Sequence, residues 1–220
     1  MTRPITFSAG EFYHIYNRGT DKRKIFSNSR DYERFLALMY LSNSTYPIHI
    51  RKEKSSLHEL LKSDRGKVLV DIGAYCLMPN RFHILIHERA DNGISRFMQK
   101  LTTAYTMYFN KKNDRSGNLF QGVFKAKHAD QDKYLQYLFS YIHLNPVVMI
   151  QSDWEETGIK NIKEAKKFLD SFHYSSYKDY TNFSREEGII LNKGALPDYF
   201  EKTEDFKSML DFWLNYKKEE

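Results

Sequence analysis

The 220-residue chain has a single cysteine, Cys76, no apolar run near the roughly 18 residues of a membrane helix, and no internal repeat. One cysteine excludes an internal disulfide and fits a reducing compartment. The first residues, M-T-R-P-I-T-F-S-A-G, lack the apolar segment of a secretory signal. These absences lead us to expect a cytoplasmic protein with no membrane partner. Acidic residues are scarce in one part only. Residues 1 to 150 hold 23 Lys plus Arg against 13 Asp plus Glu, a balance of +10, whereas residues 151 to 220 hold 11 against 15, a balance of −4. We therefore expect a domain over 1–150 that carries the chemistry and a helical, loop-rich extension over 151–220. Aromatic side chains make up 15% of the chain. A basic, aromatic-rich domain suits a polyanion, because lysine and arginine displace counterions from phosphates while ring faces stack on unpaired bases.

Phe12 to Arg18, F-Y-H-I-Y-N-R, is rich in β-formers and stops at Gly19, so it reads as a strand. Asp31 to Tyr40 reads as a helix with Ser29 as its N-cap and with Tyr32, Phe35, Leu36 and Met39 on one face. Residues 41–66 are polar and interrupted, with one short helix expected around Ser56 to Leu61. Lys67 to Met78 and Phe82 to Glu88 form a hairpin about the turn Pro79-Asn80, and Ile94 to Asn110 is an amphipathic helix. Gly117 to Lys127 reads as a loop and a fourth strand. Asp132 to Leu144 is a helix stopped at Asn145 and Pro146. Two more helical patches fall at Ile162 to Leu169 and Glu204 to Tyr216. The order β-α-β-β-α-β predicts an α+β fold of the ferredoxin-like, split βαβ kind, with an antiparallel sheet and extra C-terminal helices.

Strand alternation puts Arg81, His83, Leu85 and His87 on one face and Phe82, Ile84 and Ile86 on the other, against helices. His87 stands about 13 Å from His83 at strand rise, too far for the two imidazoles to share an ion, so it is read as a surface or DNA-facing residue. On the helix before Pro146, the residues Tyr134, Tyr137, Leu138, Tyr141 and Asn145 share a face. Such a stripe is ordinarily core.

Two segments change that reading. Y-C-L-M-P-N-R-F-H-I-L-I-H from Tyr75 and S-Y-I-H-L-N-P from Ser140 resemble the HUH single-tyrosine transposases, most closely the branch associated with repetitive extragenic palindromes. The family's pattern at the first segment is Y-C-L-M-P-N-H-F-H, so Arg81 stands where that pattern has its first histidine. Y-H-I-Y-N-R-G near the start, L-F-Q-G-V-F-K-A-K, and H-Y-S-S-Y-K-D-Y from His173 are similar to further family segments, with Val123 where an arginine is common. The resemblance implies an enzyme that cuts and rejoins single-stranded or hairpin DNA. It makes Tyr141 the nucleophile that forms a 5′-phosphotyrosine, and His83 and Asn145 ligands of Mg²⁺ or Mn²⁺. Arg81, Arg96, Lys100, Arg115, Lys125 and Lys127 become candidate DNA contacts, in a monomer or homodimer.

Arginine does not lose its proton and cannot ligate a metal. Arg81 therefore opens an alternative of another class, a domesticated DNA-binding protein of the same lineage with impaired cleavage, in which the guanidinium holds a phosphate. A ferredoxin-like RNA-binding module is a third reading. It accounts for the basic aromatic surface but not for the arrangement of Tyr141, Asn145 and Pro146.

Overall fold

A computed structural model describes residues 6–48, 55–181, 183–200 and 203–215. Its scaffold is an antiparallel sheet of β1 (Phe12–Arg18), β2 (Val70–Met78), β3 (Arg81–Glu88) and β4 (Lys125–His128), in the order β2-β3-β1-β4. Helix α1 (Ser29–Ser42) connects β1 to β2, and α3 (Gly93–Lys112) connects β3 to β4. This is the split βαβ arrangement that the element order predicts. The short α2 (Leu57–Leu61) starts at a capping box, Ser56 with Glu59. Helix α1 is capped by Asn28, whose side chain accepts from Asp31 N–H, and not by Ser29, which already lies inside the helix.

Helices α1 and α3 cover one face of the sheet. Tyr13 and Ile15 of β1, Phe82, Ile84 and Ile86 of β3, and Phe35, Phe97 and Leu101 of the helices form a hydrophobic core there. The entry into α3 is tightly specified. The buried Glu88 carboxylate, at the end of β3, accepts from Gly93 N–H at 2.9 Å and Ile94 N–H at 2.7 Å, placing a negative charge at the helix N-terminus. A side chain at position 93 would put its Cβ 2.5 Å from the Leu69 carbonyl oxygen, so only glycine fits.

The opposite face is also covered. Helix α4 (Asp132–Leu144) lies across Ala74, Cys76, Met78 and Leu85. The chain beyond it, with α5 (Trp154–Thr157), α6 (Ile162–Ser171) and α7 (Thr203–Leu214), joins the same second core through Leu169, Tyr180, Phe200, Phe206 and Leu210. All nine residues of β2 are buried as a result, the pattern of a strand covered on both sides. Tyr216, the expected end of the last helix, lies outside the described residues. Among the described residues, no helix is long and apolar enough to cross a membrane.

Candidate functional site

The rim of the α4 face gathers the chemistry. Strand pairing sets Tyr16 opposite His83 and Lys125, and His14 opposite Lys127, so these side chains project on the face that α4 overlies. His14 and His83 meet at 2.9 Å through Nε2 and Nδ1, one ring nitrogen donating to the other. Tyr16 stacks on both rings, with centroids 4.9 Å from His14 and 5.9 Å from His83. Burial, with the Lys127 ammonium second, pushes His14 down to about 3. Burial, then His14 and Arg81, hold His83 well below the usual imidazole range. Both rings are neutral at pH 7. Among the described residues His14 Nδ1 and His83 Nε2 are buried without a partner, so in either tautomer arrangement one N–H and one lone pair go unmatched there.

Tyr141 stands edge-on above this pair, its ring 5.7 Å from His83 and 6.1 Å from His14. One turn later on the helix face, Asn145 is fully buried. Its Oδ1 accepts from Arg81 Nη2 at 3.0 Å. The Tyr141 hydroxyl donates to Glu155 Oε1 at 3.3 Å. Burial pushes the Tyr141 phenol up to about 12; the Glu155 charge adds to the shift, and Asn145 and Arg81 oppose it. Tyr134, Tyr137 and Tyr141 run along the helix as a ladder of stacked rings, with centroids 6.0 and 5.9 Å apart, each half-buried. The stripe is thus neither core nor free surface.

The structure brings Tyr141, His83, Asn145, Arg81, Lys125 and Lys127 to one region. Lys125 and Lys127 are exposed on β4, while Phe124 and Ala126 point into the first core. It does not bring in the other three candidates. Arg96 and Lys100 lie on α3, across the sheet, and the Lys100 ammonium is engaged by the Ser44 and Tyr46 carbonyls at 2.5 and 2.6 Å. Arg115 braces the loop after α3, donating to Asn110 Oδ1 and to the Asn118 carbonyl. His87 is not a free surface group: it pairs with the buried Asp71 at 3.2 Å and packs on Phe12. Sequence reasoning missed His14 and Glu155. The signal for His14 was present, since alternation in Y-H-I-Y-N-R puts it opposite Tyr13 and Ile15. For Glu155 there was none, because its approach to Tyr141 depends on how the chain turns after Pro146.

The metal implied by the sequence resemblance can be tested on these donors. Asn145 Oδ1 is already taken by a permanent cation, which leaves the single imidazole nitrogen His83 Nε2. Among the described residues, no group of three or more His, Cys, Asp or Glu could hold an ion. The residues do not fit a divalent cation as arranged.

The IS200-like transposase model matches residues 12–145, more than half the chain, from the first residue of β1 to Asn145. The chain belongs to the IS200-like transposase family. The match therefore covers the four sheet strands, Arg81, Tyr141 and Asn145, the residue that caps the end of α4. Among solved structures, one described as the REP-associated tyrosine transposase bound to a REP hairpin aligns with a TM-score of 0.49 and 12% identity, covering 85% of this chain and 89% of that one. No curated protein matches the chain.

Proposed function

We propose that this transposase-family chain binds single-stranded DNA at a hairpin, holds a phosphodiester between Arg81 and Tyr141, and cleaves it slowly. The observation that carries the reading is the Arg81–Asn145 bond at 3.0 Å, which fixes a guanidinium one helical turn from the Tyr141 phenol. Family membership supports the transposase lineage, and the exposed Lys125 and Lys127 beside His14 and Tyr16 supply a basic flank for the backbone.

In the chemical step, the Tyr141 oxygen attacks phosphorus, a 5′-phosphotyrosine forms, and the bond to the 3′-oxygen breaks. The phenol proton passes to water, and the leaving oxygen takes one up as a free 3′-hydroxyl. Arg81 compensates the charge that grows on the phosphate oxygens. Burial, which pushes the Tyr141 phenol up to about 12, makes its oxygen harder to ionise than a free tyrosine's and works against the attack. With Asn145 Oδ1 held by Arg81, a divalent cation would find only His83 Nε2 here and would stay largely hydrated, so no step of the reaction is assigned to it.

The same guanidinium favours a second reading, a DNA-binding protein of this lineage that no longer cleaves. Incubation with single-stranded hairpin DNA and Mn²⁺, followed by denaturing electrophoresis, separates the two. Slow cleavage gives an SDS-resistant adduct that Tyr141→Phe abolishes while salt-dependent hairpin binding persists. Binding without any adduct establishes the second reading. Equal affinity for duplex and hairpin, or an adduct that survives Tyr141→Phe, contradicts both.

A further inference from the structure

We propose that the cleft beside Tyr141 is a pocket for one unpaired guanine base of the bound strand; this rests on the reading that a DNA strand passes Tyr141. The cleft measures about 280 Å³, and its walls come from three helices: Tyr137 and Tyr141 on α4, Trp154 and Glu155 on α5, and Trp213 on α7. The rings are arranged around it rather than packed shut. Tyr137 and Tyr141 stack at 5.9 Å, Trp154 lies tilted 6.3 Å from Tyr141, and Trp213 meets Tyr137 edge-on at 5.0 Å. The nearby aromatics that serve the second core, Phe139 and Phe206, are completely buried, whereas these four keep part of their surface open. Open ring faces at the edge of a basic nucleic-acid site are stacking platforms, and stacking itself is tolerant of base identity.

The fifth wall residue supplies the selectivity. Glu155 is exposed, and its one hydrogen bond among the described residues comes from the Tyr141 hydroxyl. A carboxylate repels backbone phosphate, so its place in a DNA site is against a base edge. It only accepts hydrogen bonds. Guanine is the one base that presents two adjacent donors on its Watson–Crick edge, N1–H and the N2 amino group, matching the two carboxylate oxygens. Adenine, cytosine and thymine each offer a single donor group there. A base held in this cleft sits directly beside the Tyr141 phenol, so the pocket selects which phosphate reaches it.

The cleft carries its own reporter, because Trp154 and Trp213 are the only two tryptophans in the chain and both line it. The full-length protein is titrated with the four deoxynucleoside monophosphates, and with short single strands that carry one variable base in a thymine background, while tryptophan emission is followed. Hairpin binding is measured separately by anisotropy of a labelled DNA. Guanine should quench with about fivefold or greater preference, as expected of a bidentate base contact. Hypoxanthine, which lacks the N2 amino group, should lose most of that preference. Glu155→Gln should bring the four bases to similar affinity while retaining the quench, because the stacking walls are untouched. Equal response to all bases in the wild type, or unchanged guanine preference in Glu155→Gln, overturns the proposal. Emission that responds to protein concentration but to no nucleotide assigns the cleft to a second copy and also overturns it. If hairpin DNA binds and the tryptophans stay silent, the pocket assignment fails and the functional reading stands. If no DNA binds at all, the functional reading fails with it.

Discussion

Arg81 brings a fixed positive charge against a histidine pair that is itself neutral, since burial keeps both His14 and His83 uncharged. That charge is anchored at one end by Asn145 Oδ1, and its Nε has no partner among the described residues, so N–H donors of the guanidinium remain for an incoming acceptor. A phosphate oxygen is the acceptor that a guanidinium suits best, because the planar fork matches its geometry. Arg81→His tests whether the position is a lost metal ligand or a phosphate clamp. The change puts a second imidazole two residues from His83 on the same strand face and frees Asn145 Oδ1. If the position is a degenerate ligand, Mn²⁺ affinity measured by calorimetry should rise at least tenfold, or about 1.4 kcal/mol, and adduct yield should rise with it. If Arg81 has become a clamp, hairpin affinity should fall and no adduct should appear. A wild-type protein that already binds Mn²⁺ tightly and cuts efficiently would contradict both accounts.

At the scale of elements, the site is a meeting of β1, β3 and β4 with α4, and it was legible in the sequence to different depths. Helix α4 has the limits read from Asp132 to Leu144, because Pro146 cannot continue a helix and the apolar period holds up to that point. The split βαβ order was also legible, since each strand carries its own alternation. The His14–His83 contact was not, because it depends on the β1–β3 register, which no local pattern encodes. The covering of the α4 face was missed for a similar reason. Phe200, Phe206 and Leu210 reach β2's neighbourhood from more than a hundred residues away, through loops with little periodicity. Strand β4 shows where a structural and a functional account must be separated. It is an edge strand, and lysines on an edge also discourage further strand addition. If Lys125 and Lys127 contact phosphates, the double change Lys125→Gln with Lys127→Gln should weaken binding alike for all sequences. It should also reduce the salt slope for a single strand by about 1.4, at ~0.7 per lost contact. Arg96→Gln, on the far face, should leave the slope unchanged. An unaltered slope in the double variant would leave only the edge-protecting role.

For the molecule as a whole, the two cores are tied together by buried groups that must stay neutral, which makes stability sensitive to acid. His143 is fully buried on α4. It donates from Nδ1 to the Phe139 carbonyl at 2.8 Å, so its Nε2 must accept from the Ser176 hydroxyl, also at 2.8 Å. Ser176 Oγ in turn accepts from Tyr75 N–H, linking α4 and the C-terminal region to the centre of the sheet. Burial lowers His143 to about 3 and His14 to about 3, and lowers His83 as well. An unfolded imidazole takes up its proton near pH 6.5, whereas these do not in the native state until far lower pH. Below pH 6.5 the unfolded chain therefore binds more protons, and stability falls as pH falls, by up to about 1.4 kcal/mol per pH unit for each ring. Between pH 6.5 and 4.5, His14 and His143 together account for about 5 kcal/mol, comparable with the whole stability of a domain at the lower end of the usual range. Thermal unfolding followed by circular dichroism should show little change from these groups between pH 7 and 8 and a steep drop in Tm below pH 6.5. His143→Gln removes one of the three titrating rings. It should make that drop shallower by about one proton's worth per pH unit, even if the variant is less stable at pH 7. A Tm that stays level down to pH 4.5 would show that these histidines are hydrated and charged, and that the pair beneath Tyr141 is not neutral.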